Sequence, residues 1–419
     1  MISIFLLADL LISQNLFAKT YGRSGEERAY TVIPTSDGGY AVAGYAWVSI
    51  SQEFDCLLFK ISSTGELLWS KSIGGNRCDY AFALNQTSDG GYAMAGWEES
   101  YSLPYTGFFV LKFTSDGDLQ WAKTFDGQYH DFAWSVIQCS DGGYAVAGQT
   151  ESFGAGYFDA LILKLSPSGD LQWAKTFGGT MSDYLYSVIQ TTDGGLMAVG
   201  GTISFGSGGV DALVLKLSSD GSLLWAKAFG GTSEEVARSV IQTSDGGYAV
   251  AGWTRSSGAG GYDILVLKLA SDGTPLWTRT FGGTGDERAF SIVQTYDGGY
   301  ALAGHTSSFG YGSYDFLVLK LASDGTLLWT SSFGSTGEDH LTSILQAPDY
   351  GYIMAGTLGL ENFDPAIIRI GSDGLYPGCV QTYSLVQGTP SLAVTSPSGI
   401  AICSPSSSSP DPLVSSLAL

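Results

Sequence analysis

Basic residues and long apolar runs are scarce in this chain of 419 residues. No run of 18 apolar residues occurs, so the sequence predicts no membrane-spanning segment. Lys and Arg total 19 against 40 Asp and Glu, and the resulting net charge of −21 argues against nucleic acid and anionic membranes as partners. No stretch keeps an apolar period of 3.6 residues, so essentially no helix is expected.

Catalytic and metal-binding signatures are also lacking. The three histidines, His130, His305 and His340, form no H-x-H or H-x-x-x-H pair, so a zinc site is not expected. No nucleophile elbow, Walker loop or Rossmann fingerprint occurs in a strand-to-helix context. The sequence therefore predicts no catalytic residue and no cofactor, and favours a protein that is not an enzyme.

Cysteine is rare, with five residues in the chain. Cys379 and Cys403 flank the start of a Ser/Pro-rich segment, and Cys56 and Cys78 fall on the same face of the predicted fold. Disulfides Cys379–Cys403 and Cys56–Cys78 are both compatible with this placement, and free apolar thiols are the alternative. Cys139 stands where other repeats have Thr, and we predict that it is unpaired.

One phrase, however, recurs throughout the chain. "TSDGGYAVAG" at Thr35–Gly44 returns with small changes, and its Asp recurs every 52 residues in seven copies: Asp37, Asp89, Asp141, Asp193, Asp245, Asp297 and Asp349. Each period holds four short segments rich in Val, Ile, Leu, Tyr and Trp, and Asp-Gly turns join the first to the second and the third to the fourth. Such a unit is one blade of a β-propeller, so the sequence predicts an all-β, seven-bladed propeller of four-stranded antiparallel blades.

The repeat also defines the domain organisation. We predict an apolar N-terminal segment over residues 1–14, a propeller over 15–375 and a Ser/Pro-rich tail over 376–419. The first segment lacks the basic region of a secretory signal, so a truncated signal and a misassigned start codon both stay open. Ser/Pro tails of this kind are commoner on exported proteins, and we expect an extracellular or cell-surface location.

Both ends of the repeat contribute to the last blade. After Gly374 the sequence "LYPGCV" stands where other blades have "LLW", so the last blade lacks its outermost strand. The missing strand is found near the N-terminus, because "NLFAKTYG" at Asn15–Gly22 matches "LLWAKAFG" at Leu223–Gly230. We predict that Leu16–Tyr21 pairs with Ala366–Ile370 and closes the ring.

The phrase "DGGYAVAG…LVLKLxSDGxLxWxKTFGG" resembles the SBBP-like tandem propeller repeats of large bacterial and archaeal surface proteins, most of which have no assigned activity. The segment Leu215–Lys227, "LKLSSDGSLLWAK", is also similar to the docking motif of quinoprotein propellers. That resemblance implies that a Trp in each blade packs against the next blade, and it does not carry over the quinoprotein cofactor. The Trp residues concerned are Trp69, Trp121, Trp173, Trp225, Trp277 and Trp329.

Three polar positions recur in the blades. An acidic residue precedes each inner strand and forms a ring on the loop-rich face: Glu27, Asp79, Asp131, Asp183, Glu235, Glu287 and Asp339. It could bind a cation, but a group repeated in every blade is expected to close its own loop by accepting backbone N–H bonds. A role in closing the loop, rather than calcium binding, is likewise expected for Asp55, Asp159, Asp211, Asp263 and Asp315. An inner-strand Gln recurs at Gln86, Gln138, Gln190, Gln242, Gln294 and Gln346, and we expect it to bond between blades rather than line a channel.

The long loops differ most among the blades and are rich in aromatic residues. The candidate ligand-contact residues on them are Trp47, Trp97, Tyr101, Tyr105, Trp253 and Tyr311. Aromatic side chains on variable loops above a rigid scaffold suit contact with a glycan or a protein. The leading hypothesis is a non-enzymatic secreted or surface propeller that binds an unidentified protein or glycan. The alternatives are a glycan lyase or hydrolase, a quinoprotein-like oxidoreductase, or a purely structural envelope component.

Overall fold

A computed structural model of the protein describes residues 16–21, 25–48, 53–75, 78–99, 105–310, 312–359 and 363–375, with the backbone of 386–388, 393–395 and 401–403. Regular structure in these residues consists of β-strands, and none of them is helical. The strands alternate in their burial or are buried throughout, as Val-, Leu-, Tyr- and Ala-rich segments bounded by Asp-Gly turns should be.

The strands fall into four concentric sets. The innermost strands are β2 (Glu27–Pro34), β6 (Asp79–Gln86), β10 (Asp131–Gln138), β14 (Asp183–Gln190), β18 (Glu235–Gln242), β22 (Glu287–Gln294) and β26 (His340–Gln346). The second strands are β3 (Tyr40–Val48), β7 (Tyr92–Glu98), β11 (Tyr144–Thr150), β15 (Leu196–Thr202), β19 (Tyr248–Thr254), β23 (Tyr300–Thr306) and β27 (Tyr352–Gly359).

The third strands are β4 (Glu53–Ile61), β8 (Gly107–Phe113), β12 (Asp159–Leu165), β16 (Asp211–Leu217), β20 (Asp263–Leu269), β24 (Asp315–Leu321) and β28 (Phe363–Ile370). The outer strands are β5 (Leu67–Ile73), β9 (Leu119–Phe125), β13 (Leu171–Gly178), β17 (Leu223–Gly230), β21 (Pro275–Gly282), β25 (Leu327–Phe333) and, from the N-terminus, β1 (Phe17–Thr20). In each blade the four strands pair antiparallel in order from the innermost to the outermost, and the seven blades form seven sheets. The predicted seven-bladed propeller is confirmed.

The ring closes as the sequence predicts. Strand β1 pairs antiparallel with β28, with Phe17 opposite Arg369 and Thr20 opposite Ala366. Phe17 is buried. Its ring packs so closely on Gly65 of the first blade that a Cβ added to Gly65 would lie 2.8 Å from the ring. At the same seam the Arg369 guanidinium donates to the Ser63 carbonyl at 3.0 Å. The last blade is therefore built from both ends of the repeat.

Neighbouring blades meet through a tryptophan and a glycine. The Trp69 ring lies against Gly117, where an added Cβ would be 2.7 Å from the ring. Gly117 has a φ of +79°, so the turn needs glycine both for its backbone conformation and for the close approach of the ring. The equivalent glycines contacted by Trp121, Trp173, Trp225, Trp277 and Trp329 are Gly169, Gly221, Gly273, Gly325 and Gly374. Phe17 takes the place of the tryptophan at the seventh junction.

The recurrent Asp of the opening phrase anchors a buried lysine. Lys216 is 3% exposed, and its ammonium lies 2.9 Å from the Asp193 carboxylate in the first hairpin of the blade. Hydrogen bonding from Thr191, followed by Lys216, lowers the pKa of Asp193 to about 2, although burial opposes it. Five other blades repeat the Lys–Asp pair, and Arg369–Asp349 replaces it in the last one. A buried charge needs such a partner, which explains why the phrase keeps its Asp.

Three short strands of the C-terminal segment extend the outer edges of consecutive blades. They are β29 (Val386–Gly388) on β21, β30 (Ala393–Thr395) on β17 and β31 (Ala401–Cys403) on β13. Each adds a fifth strand to its sheet. Part of the segment predicted as a tail thus returns along the outside of the ring.

Deleting residues 1–21 should destabilise the protein strongly, because it removes β1 and opens the edge of β28. Losing the buried Phe17 side chain alone is expected to cost ~3–5 kcal/mol. The melting temperature from circular dichroism should fall by many degrees, and light scattering should detect association through the open edge.

The matched control deletes residues 1–14 and keeps β1. It should melt close to the full chain. A monomeric 22–419 fragment with an unchanged melting temperature would show that the pairing of β1 with β28 does not hold the ring together.

Candidate functional site: the central channel and the loop-rich face

A β-bulge in every inner strand turns side chains into the central channel. In β18 the register with β19 shifts between Ala237 and Ser239, so Arg238 is the extra residue. The same irregularity occurs in the other six inner strands. A bulge re-aims the side chain at the extra position. Each bulge lies two or three residues inside its strand, roughly 7–10 Å along it at ~3.3 Å per residue.

The seven bulge residues form a ring that is largely aromatic. They are Tyr30, Phe82, Trp134, Tyr186, Arg238, Phe290 and Thr342. This ring, here called the channel ring, lines a cavity of about 260 Å³ together with the Ser, Thr and aliphatic side chains that follow it. Arg238 and Thr342 interrupt the aromatic character in blades five and seven. This ring was not predicted from the sequence, although the same spacing of 52 residues defines it.

Arg238 occupies an unusual environment. Its guanidinium lies 3.8 Å from the centre of the Tyr186 ring, 5.6 Å from that of Phe290 and 6.0 Å from that of Trp134. Burial lowers the pKa of this guanidinium, and the tyrosine hydroxyl of Tyr186 opposes the effect. Within the described part of the chain, none of the ion pairs involves Arg238. The channel thus contains a cation held by aromatic faces.

Two of the predicted contact residues belong to the wall of the channel mouth. The Trp97 ring packs 4.3 Å from Tyr80 and 6.4 Å from Phe82, with their planes inclined by 31° and 16°. Trp253 lies 5.8 Å from Phe290, and the Arg288 guanidinium lies 5.6 Å from its ring. Both indoles are half-buried, so they support the channel ring as well as face the mouth.

The other predicted contact residues lie further out on the loops. Trp47 is 37% exposed and packs on Phe54, with ring centres 5.1 Å apart. Tyr105 is half-buried and packs at 5.3 Å from both Tyr129 and His130. Tyr101 and Tyr311 lie outside the described residues.

An exposed apolar arc, which was not predicted from the sequence, runs over blades two to four on the loop-rich face. Its members are Tyr129, Tyr157, Met181 and Ile203, with exposures of 44%, 71%, 46% and 40%. Adjacent loops bring them together: the Tyr129 amide donates to Ser152 Oγ at 2.9 Å, and the Met181 amide donates to Ser204 Oγ at 3.1 Å. Four large side chains are thus exposed to solvent on neighbouring loops of one face. We call these four residues the apolar arc.

The acidic residues stand at the first position of the inner strands, or directly before it in the last blade, and bind their own loops. Glu235 is fully buried and accepts bonds from the Gly231 amide at 2.5 Å and the Thr254 hydroxyl at 2.6 Å. Asp183 likewise accepts from the Gly179 amide at 2.9 Å and the Ser204 hydroxyl at 2.6 Å. Both carboxylates are buried and close their own loops through these bonds.

The other two recurrent polar positions also have structural contacts. Asp159 at the start of β12 accepts from the Ala155 and Gly156 amides at 3.0 and 2.9 Å, which closes the long loop before it. Each inner-strand Gln accepts a backbone N–H from the preceding blade, as Gln138 does from Ser88 at 2.7 Å. The equivalent contacts of Gln86, Gln190, Gln242, Gln294 and Gln346 span 2.7–3.0 Å. The predicted lateral bonding of glutamine is confirmed.

In blade two a recurrent carboxylate stands at a different position from that in the other blades. In blades three to six an Asp begins the third strand. A Gly stands at or directly after the end of the outer strand, such as Gly178, whose added Cβ would be 2.2 Å from Asp159 Oδ1. In blade two these positions are Gly107 and Asp126, so the carboxylate stands directly after the neighbouring outer strand instead. Glu98 lies close by and is 1% exposed. Burial, then the charges of Asp126 and Asp79, raise the pKa of Glu98 to about 8.

The fold brings together two histidines that are 35 residues apart. His305 on β23 and His340 on β26 approach to 3.0 Å between their Nδ1 atoms. Burial, followed by the charge of His340, lowers the pKa of His305 well below its usual range. The sequence separation hid this contact because it crosses from blade six to blade seven. Among the described residues, no group of three or more His, Cys, Asp or Glu side chains is arranged to hold a metal ion.

The Cys56–Cys78 disulfide is not formed. Both are free thiols: Cys56 is buried among apolar side chains between the first two blades, and the Cys78 thiol donates to Glu53 Oε2 at 3.2 Å. Cys139 is also free and buried. The predicted Cys379–Cys403 pair lies outside the residues whose side chains are described. In the described part of the chain, no helix is long and apolar enough to span a membrane.

Comparison with known proteins supports the repeat and leaves activity open. A family model described as a domain of unknown function (DUF5122) beta-propeller matches residues 243–275. The regulatory protein FlaEY of Caulobacter vibrioides is 25% identical over 276 residues, which are 59% of this chain and 28% of that protein. The chain therefore spans less than a third of the curated relative that it matches.

Solved structures match this chain at low sequence identity. Sqt1 from Chaetomium thermophilum has 13% identity and a TM-score of 0.49, covering 90% of this chain and 91% of that one. The extracellular domain of the putative one component system BT4673 from B. thetaiotaomicron has 10% identity and a TM-score of 0.47, covering 85% and 44%. Similarity to these proteins does not assign an activity to this chain.

The raised pKa of Glu98 makes a pH-dependent prediction. Its folded-state pKa of about 8 exceeds the ordinary value of 4.5, so the folded state keeps a proton that the unfolded state loses. The stability that this proton supplies is complete below pH 4.5 and is lost as the pH rises to about 8. Glu98→Gln should therefore stabilise the protein at pH 8–9 relative to wild type, by an amount on the order of a few kcal/mol, and much less at pH 5.

Thermal unfolding of both proteins across this pH range measures the effect. Glu99→Gln removes one acidic group from the adjacent residue and serves as the control for net charge. A Glu98→Gln stability difference that is the same at pH 5 and pH 9 would contradict the assignment of a proton to Glu98 in the folded state.

Proposed function

We propose that this protein is a non-enzymatic binding module that contacts a protein or glycan through its loop-rich face. The observation that carries the proposal is the apolar arc, four large exposed side chains on adjacent loops of one face. A rigid seven-bladed scaffold holds these loops in place, which reduces the ordering cost of binding.

The aromatic character of this face favours such a partner. Tyr157 in the apolar arc is 71% exposed, and Tyr105 and Trp47 lie on the same face. Tyrosine and tryptophan offer a large apolar surface together with a hydrogen-bonding group, and are enriched where proteins bind partners. These side chains suit stacking on a sugar ring or packing against a partner protein.

We further propose an extracellular or cell-surface location and a relationship to the SBBP-like surface propellers. The Ser/Pro-rich composition of residues 376–419 and the recurrent "DGGYAVAG" phrase support this assignment. The enzymatic alternatives have weaker support, because the carboxylates that break the sevenfold pattern in blade two include Glu98, which is 1% exposed. Fold alone does not choose between these functions.

Binding to a glycan array and a panel of bacterial surface proteins tests the proposal. The double variant Tyr129→Ala/Tyr157→Ala should lose binding by tenfold or more to any partner found with the wild type. Tyrosine is enriched among the interface residues whose truncation costs about 2 kcal/mol or more. Its melting temperature should stay close to wild type, since both side chains are exposed.

The matched control is Tyr296→Ala/Tyr350→Ala. These tyrosines are 62% and 56% exposed and pack on each other in the hairpins of the opposite face. Equal loss of binding in the two double variants would place the contact elsewhere. Retained binding in the Tyr129→Ala/Tyr157→Ala protein would remove the apolar arc from the interface.

A further inference from the structure

We propose that the central channel binds a small organic anion with one carboxylate group, and that Arg238 is the cation that receives it. The site lies inside the channel ring, below the loop-rich face. It does not depend on the contact proposed for the apolar arc.

Arg238 is a half-buried cation in the central channel, where most of the other residues of the channel ring are aromatic. The ordinary residue of the channel ring is aromatic, and the seven positions include one basic residue. Buried basic residues elsewhere in the blades have carboxylate partners, as Lys268 has Asp245 at 2.9 Å. Arg238 instead faces the Tyr186, Phe290 and Trp134 rings. Because a guanidinium carries five N–H donors, stacking on these rings leaves donors for a ligand.

The serines that follow the channel ring supply further hydrogen-bond donors to the cavity. Ser135 Oγ accepts the Val188 amide at 3.2 Å, Ser239 Oγ accepts the Ile292 amide at 3.3 Å, and Ser291 Oγ accepts the Ile344 amide at 3.3 Å. A hydroxyl that accepts an N–H bond still has its own O–H to donate. All three serines line the same cavity as Arg238. The cavity therefore contains three serine hydroxyls that can donate a hydrogen bond to a ligand, in addition to the cationic guanidinium of Arg238.

The chemistry of the cavity selects the class of anion. One guanidinium matches one carboxylate, which it can bind with two parallel N–H···O bonds. A multiply charged anion would meet a single cation within a protein of net charge −21. The surrounding aromatic faces favour a planar or apolar body on the ligand. A volume of about 260 Å³ restricts that body to a small molecule.

Isothermal titration calorimetry with benzoate and phenylacetate tests the site on the full chain, in a buffer without carboxylates. Benzamide is the matched ligand, because it keeps the ring and loses the charge. Benzoate or phenylacetate should bind and benzamide should bind at least about tenfold more weakly. Equal binding of benzoate and benzamide, or no binding of either carboxylate, would overturn the proposal. Tighter binding of inorganic phosphate than of benzoate would also overturn it.

Protein variants locate the site. Arg238→Met keeps most of the side-chain length and should weaken carboxylate binding by tenfold or more. Arg238→Lys keeps the charge without the planar fork and should bind with intermediate affinity. The control is Arg279→Met, which removes an arginine that lies 5.5 Å from the Trp277 ring on the outer strand. Arg279→Met should bind benzoate as the wild type does.

The outcomes remain informative if Arg238→Met fails to fold, because the comparison of benzoate with benzamide needs only the wild type. Unchanged benzoate affinity in a folded Arg238→Met protein would refute the role of Arg238. The Tyr129→Ala/Tyr157→Ala protein should bind benzoate normally. Its behaviour therefore separates a failure of the channel site from a failure of the proposed contact on the loop-rich face.

Discussion

Closure of the ring is the constraint on which the rest of the structure depends. Seven blades bury their faces against one another, and the last one is complete only because β1 pairs with β28. The junction between the last and first blades also lacks the lateral glutamine bond, because Pro34 replaces Gln in the first inner strand. Arg369 reaches across this seam to the Ser63 carbonyl and to the Tyr40 hydroxyl. These contacts replace what the regular repeat supplies at the other six junctions.

The closed ring separates the residues that hold it together from those that can differ. Buried Lys–Asp pairs, Trp–Gly contacts and loop-closing carboxylates recur in the blades, and each has a structural partner within the fold. The residues of the channel ring and the apolar arc take no part in these three kinds of contact. The bulge in each inner strand points one side chain into the channel whatever its identity, so a single substitution such as Arg238 changes the chemistry of the axis without changing the scaffold. Function is expected where the repeat permits variation.

The sequence was sufficient to predict the fold and the closure, because a period of 52 residues and the match of Asn15–Gly22 to Leu223–Gly230 are direct signals. It was less informative about the channel. The bulge that turns Arg238 inward depends on pairing with β19, and strand alternation alone gives no sign of it. The apolar arc combines loops from neighbouring blades, and the contact between His305 and His340 crosses a blade junction. The buried lysine could have been found, since a Lys within an apolar "LKL" strand recurs at the same position.

The central claim is that the asymmetry of the channel ring creates a binding site on the axis of the propeller. Diffraction from crystals soaked in 4-bromobenzoate tests it most directly, because the bromine atom gives an anomalous signal at its own position. The account predicts a peak inside the channel ring, with the carboxylate at hydrogen-bonding distance from the Arg238 guanidinium. Peaks confined to the outer surface, with an unchanged channel, would contradict it.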